Sequence, residues 1–153
     1  MNLFPWRKKK EFFTEEEKEQ LLQAIRQAEQ NTSGEVRVFI ESKCRFMDAL
    51  DRAREIFVQL KMNETDLRNA TLIYVAVKDR QAAVFGDEGI HGKVSPEYWQ
   101  ETVGRMLSCF REQKLADGIC SAIGSLGAAL QAYFPYDPQT DKNELPDEIV
   151  FGR

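Results

Sequence analysis

Leu21, Leu22, Ile25 and Ala28 fall three and four positions apart, the spacing of one helix face, and Thr14 with Glu17 forms a capping box ahead of them. This predicts a helix over about residues 15–30, broken by Asn31-Thr32-Ser33-Gly34. The period then shortens to two: Val36, Val38 and Ile40 alternate with Glu35, Arg37, Phe39 and Glu41, a first strand with its β-branched residues on one face. Leu50, Ala53, Phe57 and Leu60 return to helical spacing behind Asp48 as N-cap, with Asp51, Arg52, Arg54 and Glu55 on the wet side. Thr71 to Val77 is apolar almost throughout, as in a strand covered on both faces, and strand-helix-strand order implies a right-handed parallel unit. Lys78-Asp79-Arg80-Gln81 reads as a tight turn, so Ala82 to Phe85 folds back antiparallel and the sheet is mixed, with the second strand in its centre.

Gly86, Gly89 and Gly92 mark a loop, shaped by positions that tolerate positive φ. Ser95 and Pro96 start a third helix with a stripe of Trp99, Val103, Met106, Leu107 and Phe110. A fourth begins near Asp117 and carries Ile119, Ile123, Leu126 and Leu130. Its Gly118, Ala122, Gly124, Gly127 and Ala128 keep it thin enough for close approach to a neighbour. The expected organisation is an N-terminal segment over 1–13, an α/β domain over 14–135 and an acidic tail over 136–153. That tail contains Pro138 and Pro146 and ends in the apolar anchor Ile149-Val150-Phe151.

Composition narrows the function classes. A chain of 153 residues, 42% hydrophobic and 30% charged, suits one domain with one core. Its net charge of -4 argues against duplex nucleic acid as a partner. Cys44, Cys109 and Cys120 are odd in number and lack any C-x-x-C, as expected of free thiols in a reducing compartment. The longest apolar run, Leu72 to Val77, has strand length and falls well short of the roughly 20 residues of a membrane span. The basic run Arg7 to Lys10 is followed by Glu11 and not by an apolar stretch, so it fails as a secretory signal. A cytoplasmic protein is the expectation. Four charges beside Phe4 and Trp6 would bind an anionic membrane only weakly, and membrane contact is not expected.

Counting disposes of most standard sites. The single histidine, His91, excludes a two-histidine zinc site, and neither a Walker loop nor G-x-G-x-x-G occurs, so no nucleotide cofactor is expected. The topology offers another site. If the first two strands are parallel and the third returns antiparallel, the loop after Phe85 arrives at the edge where those two strands begin. Asp87 and Glu88 would meet Ser33, Glu35 and Asn69 there, with Arg68 nearby. Oxygen-only ligands suit Ca²⁺ or Mg²⁺, while the same residues read equally as solvated loop acids and turn formers.

The pieces together resemble the TPM domain family over roughly residues 12–135. The resemblance is carried by Thr32-Ser33-Gly34-Glu35-Val36-Arg37-Val38, by Arg68-Asn69-Ala70 leading into the apolar strand, by the Asp79-Arg80 turn and by the glycine-rich acidic loop. Asn143-Glu144-Leu145-Pro146-Asp147-Glu148-Ile149 looks like the tail of the short cytoplasmic bacterial members. The resemblance implies a Rossmann-like mixed sheet flanked by helices, a cleft that binds divalent metal in some relatives, and the acid phosphatase activity attributed to plant thylakoid members. The commoner family pattern before the central strand is Asp-Asn-Gly; here Arg68 replaces the acid and Ala70 the glycine, which removes one candidate ligand. The expected function is a binding or accessory module with a divalent-cation or small-ligand cleft. A metal-assisted phosphomonoesterase and an assembly partner for membrane-protein complexes are the alternatives, and the protein partner is unknown.

Overall fold

The computed structural model describes residues 12–138 and 149–152. The basic run Arg7 to Lys10, and most of the proline-containing tail, lie outside them.

Local chemistry starts three helices where the pattern of residues predicts. In α1 (Glu15–Gln30) Thr14 accepts from the Glu17 N–H and Glu17 reaches back to the Thr14 N–H. Asp48 caps α2 (Ala49–Gln59) through the Asp51 N–H. Ser95 caps α4 (Pro96–Arg111) through the Tyr98 N–H. The last helix, α5 (Leu115–Tyr133), starts slightly earlier than Asp117 and has no side-chain cap.

The strands are β1 (Glu35–Glu41), β2 (Ala70–Ala76), β3 (Gln81–Gly86) and β4 (Ile149–Phe151), in the order β3-β2-β1-β4. β1 and β2 run parallel, Glu35 opposite Ala70 and Glu41 opposite Ala76. β3 returns antiparallel with Gly86 opposite Thr71, so β2 lies between β1 and β3 as expected. The apolar end of the tail is more than an anchor: Ile149–Phe151 forms β4, parallel to β1 and opposite Val38 to Ile40.

Helices cover both faces of the sheet. Val36, Val38, Ile40, Ile73 and Val75 face α1, α4 and α5, and Phe13 joins them from ahead of α1. Phe39, Leu72 and Tyr74 face Ala53, Ile56 and Phe57 of α2. β1 therefore has no wet side. Every residue of it is buried, including Glu35, Arg37 and Glu41, whose alternation in sequence imitates a half-exposed strand.

α5 is the packing hub on the three-helix face. By length and composition it could cross a membrane, which a search for unbroken apolar runs does not reveal. Here Ile119, Ile123, Leu126 and Leu130 are buried in the fold. Gly127 meets α1: a Cβ there would lie 2.7 Å from Ala28 Cβ, and that approach is the use of the small-residue stripe.

Two details of the glycine loop differ from expectation. Glu88–His91 forms one helical turn, α3, capped by Asp87, and none of the described glycines has positive φ. Gly89 is needed for space. Its Cβ would sit 2.2 Å from the Leu67 carbonyl oxygen and 2.5 Å from that of Arg68, because α3 is laid directly on the segment leading into β2. His91 ends α3 exposed to solvent.

Candidate functional site

The edge where β1 and β2 begin is assembled by backbone pairing. The Asp87 N–H donates to the Ala70 carbonyl, the Gly89 N–H to that of Arg68, and the Glu35 N–H to that of Asn69. Ser33 is held by its N–H on the Phe134 carbonyl at the end of α5. Antiparallel return of β3 thus brings Asp87 beside Arg68 and Asn69, and parallel pairing brings Ser33 and Glu35 to the same edge.

The side chains divide into two sets. Asn69 Nδ2 lies 3.4 Å from Ser33 Oγ, and Asn69 Oδ1 is buried with no hydrogen-bond partner. The other set is organised by Arg68, which holds the left-handed backbone at φ 52. Its Nε donates to Asp87 Oδ2 at 2.7 Å, its Nη2 to Oδ1 at 2.9 Å, and its Nη1 lies 3.3 Å from Glu88 Oε1. Asp87 Oδ1 also accepts the Glu88 N–H. The Asp87 carboxylate is only 6% exposed and both its oxygens are taken, whereas Glu88 is 72% exposed. Hydrogen bonds to Asp87 raise the Arg68 pKa still further, so the guanidinium is a fixed charge.

A divalent cation fits this arrangement only by displacing Arg68. Among the described residues no three His, Cys, Asp or Glu side chains gather as a ligand cluster. The guanidinium stands between the two loop carboxylates with the charge a cation would supply. Asn69 Oδ1 is the one orphaned oxygen of the set.

A second buried network lies at the other end of β1. Glu41, 7% exposed, accepts from Arg52 Nε at 2.9 Å, from Arg52 Nη2 at 3.1 Å and from the Tyr74 hydroxyl. Arg52 Nη1 continues to Glu55. Burial, then the bond to Glu41, pushes the Tyr74 pKa well above its ordinary value. Reading of the sequence missed this network because Arg52 looks like part of a solvated helix face. The signal available was Glu41 at the very end of a strand, one crossover before another buried strand.

A mixed four-stranded sheet between one helix and a layer of three, with an acidic edge closed by an arginine, defines a Rossmann-like α/β domain. A family profile described as the TPM domain matches residues 7–129, and the chain belongs to that family. It is similar to the BA42 protein of the psychrophilic bacterium Bizionia argentinensis, solved by NMR, at 41% identity and a TM-score of 0.84, over 94% of this chain and 97% of that one. The N-terminal domain of the cg2496 protein of Corynebacterium glutamicum shares the fold, with a TM-score of 0.62 at 11% identity, over 78% of this chain and 74% of that one. No curated protein matches the chain.

Proposed function

We propose that the chain is a cytoplasmic binding or accessory module, and that its acidic edge of Ser33, Glu35, Asn69, Asp87 and Glu88 takes Ca²⁺ or Mg²⁺ only in exchange for Arg68. The observation that carries this reading is the bidentate Arg68–Asp87 pair with Glu88 as its third contact. A cation entering there gains two carboxylates and neutral oxygens but must break a charge-assisted fork. Occupancy then requires on the order of 10⁻³ M cation or more, the weak end of calcium sites.

Ca²⁺ titration followed residue by residue by NMR tests this in three proteins. The unmodified chain should show amide shifts at residues 33–35, 69 and 87–88 only in the millimolar range. Arg68→Asn, which tolerates the left-handed backbone, should bind at least tenfold more tightly. Asp87→Asn should not bind. If Arg68→Asn binds no more tightly than the unmodified chain, arginine is not the competitor and the cation reading falls.

A further inference from the structure

The carboxyl ends of β2, β1 and β4 share the sheet edge opposite the acidic one. In open α/β sheets ligand crevices form outside the carboxyl ends of the strands. Here that edge is centred on β1, which lies between β2 and β4. A cavity of about 700 Å³ opens there, lined by Glu41, Lys43, Arg45, Arg52, Glu55 and Lys78, a volume typical of small-ligand sites.

Its charges are unevenly committed. Glu41, Tyr74, Arg52 and Glu55 form the connected network described above, so Arg52 is spent holding the floor. Among the described residues no carboxylate pairs with Lys43, Arg45 or Lys78, all three exposed. Four cations against two carboxylates leave the lining at +2 in a chain whose total is -4. On the rim Phe46 is 99% exposed and has φ 70, so an aromatic side chain occupies a left-handed backbone position without burying anything. Such a residue costs stability locally, and among the described residues Phe46 gains no burial in return.

We infer that this crevice binds a phosphate dianion, with Lys43, Arg45 and Lys78 as its ligands and Phe46 as the apolar contact for whatever the phosphate is attached to. The residual charge of +2 matches a dianion. Arg45 offers a planar fork and the two lysines compact charges, the usual complement for phosphate oxygens. The site is separate from the acidic edge and independent of the cation reading. Its phosphate can come from a soluble phosphomonoester or from a lipid headgroup.

The test uses the full chain and two probes. Inorganic phosphate, titrated at constant ionic strength against chloride, should shift the amides of residues 42–47 and 78 and saturate in the millimolar range. Arg45→Ala with Lys78→Ala should weaken that response at least tenfold while leaving the melting temperature unchanged, since neither side chain has a hydrogen-bond or ion-pair partner among the described residues. Co-sedimentation with vesicles containing phosphatidic acid, whose headgroup is a phosphomonoester, but not with phosphatidylcholine alone, abolished by the same pair and reduced by Phe46→Ala, would identify the lipid source. The same phosphate response without co-sedimentation would identify a soluble one. Shifts no larger than those with chloride, shifts confined to the acidic edge, or phosphate or vesicle binding that survives the double substitution would each overturn the proposal.

Discussion

Asp87 shows how one neighbour reverses the sign of a substitution. From sequence, adjacent Asp87 and Glu88 look mutually repulsive, so relief of that repulsion offsets any lost hydrogen bond and removing one charge need not destabilise the cation-free protein. In the structure Asp87 accepts two bonds from Arg68 and one from the Glu88 N–H. Asp87→Asn is therefore expected to lower stability by about 1–2 kcal/mol, toward the low end because Arg68 is partly solvated and salt-screened. Glu88→Gln should change it by less than about 0.5 kcal/mol, its one ion-pair partner among the described residues lying at the surface. Urea unfolding of the two variants checks both, and equal midpoints would contradict the assignment of Asp87 as the anchored carboxylate. Tyr74 gives a pH signature. Its folded pKa is raised, so above about pH 10 the unfolded chain loses the phenolic proton while the folded one retains it. Stability from this residue is thus fully present below pH 10 and declines above it, by up to about 1.4 kcal/mol per pH unit. Tyr74→Phe should remove that part of the alkaline slope in urea midpoints measured from pH 9 to 11, and an unchanged slope would contradict it. Neither effect could be read from the chain, because both depend on residues far apart in sequence meeting across the sheet.

Elements governed by local chemistry were legible and those governed by distant cover were not. The starts of α1, α2 and α4 follow from Thr14, Asp48 and Ser95, because a cap needs only the next three residues. The strand order β3-β2-β1 followed from a crossover and a tight turn, and with it the placement of Ser33, Asn69 and Asp87 at one sheet edge, where Asn69 contacts Ser33 while Asp87 pairs with Arg68. The burial of both faces of β1 was not legible from its alternation, since α2 covers the face of Phe39 and β4 pairs beside it from more than a hundred residues away. α3 was hidden by its brevity. The glycines of the loop were credited with positive φ, when at Gly89 the requirement is for room. Gly89→Ala should accordingly destabilise by more than about 3 kcal/mol, since backbone oxygens cannot move aside, whereas Gly92→Ala meets nothing. In α5 the comparison is within one helix. Gly127→Ala collides with Ala28, while Gly124→Ala has open space and should stabilise by up to about 1 kcal/mol through helix propensity. Melting temperatures should rise from Gly89→Ala through Gly127→Ala and Gly92→Ala to Gly124→Ala, and a Gly124→Ala protein weaker than Gly127→Ala would refute the packing.

For the molecule as a whole, β4 closes one side of the sheet. Without it β1 would be an edge strand, its Val38 to Ile40 segment presenting unpaired N–H and C=O groups. Removing residues 149–153 should therefore lower the melting temperature, speed hydrogen exchange at alternate amides of β1 and promote association visible by size-exclusion chromatography. A truncated chain that stays monomeric with β1 amides as protected as before would show that the pairing contributes little. Synthesis imposes the same condition on every copy of the chain. While residues 149–151 have yet to leave the ribosome, the nascent domain can already hold its crossover, its hairpin and both helix layers, yet its sheet offers an open β1 to any extended peptide that passes. The newborn chain's exposure to chaperones, or to its own polysome neighbours, thus ends only when residues 149–151 emerge and pair with β1.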